Sequence, residues 1–222
     1  MPFQENTVEL VGWYGNDETH AMSAWTSTKR DIDKDKRNRI PQLLKMLAEN
    51  GHHTPFEKSS LHFLVTVDTA THIHLLKHRI GVSINGESAR YKELRDDKYL
   101  VPDDWSTVEK VKYIAFAEDA LMRYHETIQR LVEGGMDRKR AKESARFYLP
   151  YGNQITMDVM FNWRSFQHFL GLRMKSDAQR EVCELAKKML DLVGQLPGDP
   201  FKHTIGAFGY SLDVKECFHP PY

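Results

Sequence analysis

An α+β fold is what this sequence predicts: a helix-rich single domain around a modest, mainly antiparallel sheet. Three observations point to it. In residues 61–67, Leu61, Phe63, Val65 and Val67 alternate with His62, Leu64 and Thr66, the two-residue period of a mostly buried strand. Several longer stretches carry apolar residues at three- and four-residue spacing, the helical period. Glycine and proline punctuate those stretches where helices stop. Of the 222 residues 41% are hydrophobic, enough for a core.

Taken in order, residues 1–30 read as a short strand and loop anchored by Val8, Leu10, Val11 and Trp13. Ile40, Leu43, Leu44, Met46 and Leu47 predict a helix over 37–49, stopped by Gly51. Thr54 and Pro55 open an extended segment that leads into the strand. Asp68 or Thr69 caps a helix running to about Arg79. A long helix follows over 107–133, ended by Gly134 and Gly135. Asp137 caps the next, to about Tyr148, and Pro150-Tyr151-Gly152 breaks it. Two more helices are predicted over 156–175 and 177–192. The tail, 196–222, reads as irregular and is rich in Gly, Pro and aromatic residues.

Composition removes several classes of function. With 31 basic and 31 acidic residues the formal net charge is zero, unlike a general nucleic-acid binder. No run approaches the length of a membrane span and no signal-peptide pattern is visible. Cys183 and Cys217 match no zinc or redox spacing and suggest a reducing compartment, so a cytoplasmic protein is expected.

The densest chemistry lies in residues 77–91, KHRIGVSINGESARY, at the end of the helix after the strand and in a loop beyond it. Cations stand beside small residues there, as close approach to an anionic ligand requires. Gly81 and Gly86 permit backbone geometries that a Cβ would forbid. His74 and His78, four apart, form a possible metal pair, but Leu75 stands where a zincin has Glu. Two hydrogen-bonding histidines at a helix end is the preferred reading, with no metal. Ser83 and Ser88 sit in no GxSxG elbow, so ligand contact or capping outweighs a nucleophile. No GxGxxG or P-loop is present, so a dinucleotide would not be held by a Rossmann domain. On the expected helix 156–175, Asn162 and Arg173 share one face, while Arg164, His168 and Lys175 share another. Arg146 alone reads equally as a helix-end cation.

Together these pieces resemble the flavin-dependent thymidylate synthases. The hallmark of that family is RHR, two residues, S, one, NE, one, S, one, RY. This chain has Lys77-His78-Arg79, then Ser83, Asn85, Ser88, Arg90 and Tyr91. Upstream, Gly51-His52-His53-Thr54-Pro55-Phe56-Glu57 looks like the family's GHxTPFE segment. Downstream, Arg146 with Leu149-Pro150, Asn162 with Arg164, and Leu172-Arg173 before Ala178-Gln179 match later blocks in order. The resemblance covers about residues 20–195. Two departures stand out. Lys77 replaces the first hallmark Arg, keeping the charge and losing the planar fork. One extra residue between Arg79 and Ser83 puts Gly86 at the hallmark Glu position and Glu87 one residue late. Either Glu87 bends back into the role or the backbone makes the contact.

The resemblance implies conversion of dUMP to dTMP, with FAD as cofactor, NADPH as reductant and methylenetetrahydrofolate as one-carbon donor. It also implies a homotetramer whose sites draw on several chains, with no nucleic-acid or membrane partner. Arg173 would be catalytic, stabilising negative charge on the uracil ring. His74, Lys77, Glu87, Ser88, Ala89, Arg90 and Arg146 would join it in binding dUMP. Ser27, Thr54, Lys77, His78, Arg79, Asn85, Gly86, Asn162, Arg164 and His168 would hold FAD. Asp177 is left unassigned. A pyrimidine-nucleotide hydroxymethylase on the same scaffold and a non-catalytic nucleotide-binding protein are the alternatives.

Overall fold

Four strands build one antiparallel sheet in the order β1-β2-β4-β3: Thr7–Tyr14 (β1), Ser60–Asp68 (β2), Val82–Gly86 (β3) and Gln154–Phe161 (β4). The eight helices of the described residues are Asp17–Trp25 (α1), Lys34–Glu49 (α2), Thr69–Leu75 (α3), Thr107–Glu133 (α4), Arg138–Ala145 (α5), Trp163–Arg173 (α6), Arg180–Gly194 (α7) and Lys202–Ala207 (α8). The computed structural model describes residues 5–88, 92–94 and 97–212. The helix-rich α+β class is as expected, and the alternation in β2 does what its period implies. Leu61, Phe63, Val65 and Val67 are all fully buried.

The chain divides into two compact units, and every strand passes from one to the other. The first unit comprises Met1–Thr7, Thr66–Leu75 and Asn85–Met157; the second comprises Val8–Val65, Leu76–Ile84 and Asp158–Tyr222. In the first, α4 supplies the buried spine. Tyr99, Val101, Ala117 and Leu121 form one apolar cluster, and Tyr124, Ile128, Ala141 and Ala145 another, where α4 meets α5. Ser106 caps α4 through Glu109 N at 3.3 Å, and Asp137 caps α5 through Lys139 N and Arg140 N. The core of the second unit is aromatic. Trp163 stacks on Phe201 at 5.2 Å, and Phe63, Phe161, Phe166 and Phe169 pack ring against ring.

Seven expectations are corrected. A helix, α1, occupies part of the region expected as strand and loop, because Asn16 and Thr19 form a reciprocal capping box. Thr54–Lys58 is a 3-10 helix rather than an extended segment, with Pro55 in its first turn, where no N–H donor is needed. The helix after β2 stops at Leu75, so His74 and His78 do not share a helix. The segment after Gly81 is a strand, β3, rather than a loop. The helix expected over 156–175 is β4 up to Phe161 and α6 only from Trp163. Ile155, Met157, Val159 and Phe161 alternate with Thr156, Asp158 and Met160, a strand period, and pairing completes it: Glu87 N donates to Thr156 O, and Asn162 N to Gly81 O. Finally, the tail contains α8, with Thr204 and Ile205 buried. Cys183, fully buried on α7, is disulfide-bonded, which departs from the reduced thiols expected. Among the described residues no helix is long and apolar enough to cross a membrane.

Candidate active site

The second unit holds most of the residues expected at the flavin. Its centre is the start of α6. Asn162 is the N-cap, and its Oδ1 accepts from Ser165 N at 2.9 Å. Ser165 Oγ lies 2.6 Å from Asn162 Oδ1 and 2.7 Å from Gly81 O. Gly81 has φ of +67°, and a Cβ there would come within 2.6 Å of Asn162 Nδ2 and 2.7 Å of Ser165 Oγ. Only glycine fits this crossing of hallmark segment and cap. Asn162 is thus held beside residues 78–81 by backbone as well as side chain. Gly86 needs no such freedom: its φ is ordinary and a Cβ would sit 3.7 Å from Met157 Cβ.

His78 is buried, lies 6.1 Å ring to ring from His168, and meets Phe169 edge to face at 5.0 Å. Arg173 Nε donates to His78 Nε2 at 3.0 Å. That nitrogen must therefore carry a lone pair, so the proton sits on Nδ1. The guanidinium of Arg173, at the last turn of α6, is half-buried, and desolvation lowers its pKa. A partly desolvated cation acts on a neighbouring anion more strongly than one in open water. Arg164 is exposed, and its Nη1 donates to Glu57 Oε1 at 2.5 Å. Lys77 and Arg79 are exposed, and neither side chain has an ion-pair or hydrogen-bond partner among the described residues. Thr54 is exposed at the start of the 3-10 helix. Ser27, in the turn after α1, spends its hydroxyl proton on Ala24 O at 2.9 Å.

In the first unit the displaced carboxylate is accounted for. Glu87 Oε2 accepts from Thr156 N at 2.9 Å, Oε1 accepts from Lys92 Nζ at 2.8 Å, and Glu87 N donates to Thr156 O at 2.9 Å. Burial pushes the Glu87 carboxyl up, but these two donors outweigh it and its pKa is lowered. Glu87 therefore bends onto β4 and anchors the hallmark segment. Ser83 and Asn85 are exposed on β3, and Ser88 O accepts from Lys92 N at 3.0 Å. His74 is on α3. Arg146 is exposed where α5 gives way to a 3-10 turn, with no side-chain partner among the described residues. Ala89 and Arg90 lie outside the described residues.

Two residues of the second unit were not singled out from sequence. Glu57 was read only as part of a matching segment, although its opposite charge to Arg164 was a usable signal. Ser165 had no signal, because its role depends on Gly81, distant in sequence. No group of three or more His, Cys, Asp or Glu among the described residues is placed to hold a metal ion.

Comparison with known proteins places the chain in a family. The profile of the family described as thymidylate synthase complementing protein matches residues 9–197. The flavin-dependent thymidylate synthase of Streptomyces coelicolor is 29% identical over 211 residues, covering 85% of this chain and 83% of that protein. The enzyme of the same description from Thermosipho melanesiensis is 30% identical over 196 residues, covering 82% of each. Among solved structures, the UMP/dUMP methylase PolB from Streptomyces cacaoi superposes with a TM-score of 0.77 in its 5-Br dUMP complex. Identity is 29%, over 94% of this chain and 96% of that one. Its 5-Br UMP complex gives a TM-score of 0.76 at 27% identity. A match spanning most of the sequence, over the segments that build the Gly81–Asn162 crossing and carry Arg173, means that this chain belongs to the thymidylate synthase complementing protein family.

Proposed function

We propose that this chain converts dUMP to dTMP by reductive methylation, with methylenetetrahydrofolate as one-carbon donor, FAD as cofactor and NADPH as reductant. The observation that carries this reading is the hydrogen bond from Arg173 to His78 at 3.0 Å. It joins the cation expected at the uracil to the residues expected at the flavin. FAD, when bound, supplies the hydride that completes the methyl group.

The residues fit that cofactor. Lys77 and Arg79 are cations without a protein counter-charge among the described residues, suited to a pyrophosphate. His78, His168 and Phe169 offer ring surface beside them. Asn162 and Arg164 are pre-set by Ser165 and Glu57, so little ordering remains to be done on binding. Arg173, fixed through its Nε by His78, presents its guanidinium charge to negative charge on the pyrimidine ring. That interaction grows as the ring becomes nucleophilic at C5, which is the kind that lowers a barrier. Arg146, Arg90, Ala89, Ser88 and His74 take the nucleotide, chiefly its phosphate. No thiolate step is required. Assembly as a homotetramer with shared sites, one domain per chain, in the cytoplasm, belongs to the same reading.

A second reading follows from the PolB comparison, where a protein described as acting on UMP and dUMP has the same fold. Under it the ribonucleotide UMP is also methylated. One set of experiments tests both. The purified protein should be yellow or take up FAD, and its flavin spectrum should change on adding dUMP. Incubation with NADPH, methylenetetrahydrofolate and either nucleotide should give a 5-methyl pyrimidine. A colourless protein that cannot bind FAD, or a 5-hydroxymethyl product, counts against methylation.

A further inference from the structure

Within the second unit a cavity of about 550 Å³ is lined by Tyr14 of β1, Thr19 and Ser23 of α1, Thr26, Arg30 and residues 57–60. Two of its lining residues are cations, Arg30 and Lys58. Both are exposed, and neither side chain has an ion-pair or hydrogen-bond partner among the described residues. The only lining carboxylate, Glu57, is already held by Arg164 at 2.5 Å. The charge facing the cavity is therefore positive and uncompensated, although the chain as a whole is neutral.

Six lining residues carry a hydroxyl, and the protons of three of them, Thr19, Thr26 and Ser59, are spent elsewhere. Thr19 Oγ1 donates to Asn16 Oδ1 at 3.0 Å, and Thr26 Oγ1 donates to Met22 O at 2.9 Å. Ser59 is committed through a buried relay. Asp17 accepts from His203 N, Thr204 N and Thr204 Oγ1, the last at 2.6 Å. Since the Thr204 proton points at Asp17, its oxygen must accept from His20 Nδ1, 3.0 Å away. Neutral His20 then presents a lone pair on Nε2, and Ser59 Oγ, at 2.8 Å, donates to it. Burial holds His20 in that neutral form. At the cavity wall Thr19, Thr26 and Ser59 can only accept.

We propose that this cavity binds a phosphorylated sugar, with Arg30 and Lys58 taking the phosphate and the proton-committed hydroxyls accepting the sugar's O–H groups. Its volume is that of a small-ligand site. It touches the flavin arrangement only through Glu57, the partner of Arg164: Ser27, Thr54, His78, Arg79, Asn162, Arg164 and His168 do not line it. Insofar as the inference rests on the proposed reaction, the ligand of this chemistry is the 2′-phosphorylated ribose of the reductant. A free sugar phosphate shares that chemistry.

The test uses the flavin-loaded full chain and isothermal titration calorimetry with adenosine 2′,5′-bisphosphate, ribose 5-phosphate and adenosine. The bisphosphate should bind and adenosine should not. Arg30→Ala with Lys58→Ala should weaken binding at least about tenfold, the scale of losing charged hydrogen bonds. Flavin content should not change. Both residues are exposed, so folding is not at stake. Preference for the bisphosphate identifies the reductant as source; equal binding of ribose 5-phosphate identifies a free sugar phosphate, and either upholds the site. No binding of either phosphate, binding unaffected by the double substitution, or loss of flavin from the variant overturns it. Bisphosphate binding in a protein that forms no methylated product would sink the proposed reaction and leave this site standing.

Discussion

Replacing Gly81 with alanine should destabilise the chain by about 2–3 kcal/mol. The backbone at Gly81 has φ of +67°, and an L-residue there costs roughly 1–2 kcal/mol. The new Cβ would also stand 2.6 Å from Asn162 Nδ2 and 2.7 Å from Ser165 Oγ. Both must move, and the Asn162 cap on Ser165 N, now 2.9 Å, is lost. A lost N-cap costs about 1 kcal/mol. Gly86→Ala is the matched control, because its Cβ meets Met157 Cβ at an ordinary 3.7 Å and φ is not positive. Its effect should stay within about 0.5 kcal/mol. Urea unfolding followed by far-UV circular dichroism, at one protein concentration, measures both. FAD uptake should fall in Gly81→Ala, since Asn162 is displaced, and not in Gly86→Ala. Equal stability of the two variants would show that the crossing is not the constraint described.

Three further predictions follow from particular contacts. Burial holds His20 down to about 3 from an ordinary 6.5, so the unfolded chain takes up this proton first as pH falls. The His20 contribution is full above about pH 6.5 and is lost toward pH 3, at most about 1.4 kcal/mol per unit. Asp17, raised by burial against its bonds to Thr204 and His203, opposes the loss at the acid end. Unfolding curves at pH 7 and 5 should show the slope in wild type, and His20→Gln should flatten it. Glu57→Gln should change stability by no more than about 1 kcal/mol, as expected of a surface ion pair; it should weaken FAD binding because Arg164 loses its orienting partner, and a fluorescence titration of flavin would read this. Arg173→Ala should cut methylated product by roughly a hundredfold or more while NADPH oxidation by the flavin persists, whereas Arg146→Ala should act mainly on KM for dUMP. Equal losses of kcat in the two variants would remove the distinction between ring charge and phosphate binding.

The long helix and the sheet strand were legible because each carries one unambiguous period. Helix α4 has the ends read from sequence, and β2 buries its alternating set in full. Misreadings arose where one element runs directly into the next or where distant contacts decide. Ile155, Met157, Val159 and Phe161 alternate as a strand does, but they run straight into the aromatic start of α6, and pairing with residues 81–87 marks them as sheet. Helix α1 has a local start signal in Asn16 and Thr19, but it and α8 are also held by contacts to residues far away in sequence, such as Asp17 with Thr204, which no window reveals.

By itself the sequence determined which chemistry the chain carries. Clustered cations, the ordered blocks from Gly51 to Arg173 and the neutral overall charge restrict it to an anionic small ligand and to one family. Residue types and spacings survive any error about helix or strand, because they are covalent facts. Tertiary structure alone decided how those residues act. It made Glu87 an anchor on β4, turned Asn162 from a helix-face residue into a cap locked by Gly81, and tied Arg173 to His78. Each of these is a hydrogen bond between segments roughly seventy to a hundred residues apart in the chain. Such bonds form only after loop closure has been offset by burial elsewhere, so their geometry is a property of the folded whole rather than of any local stretch.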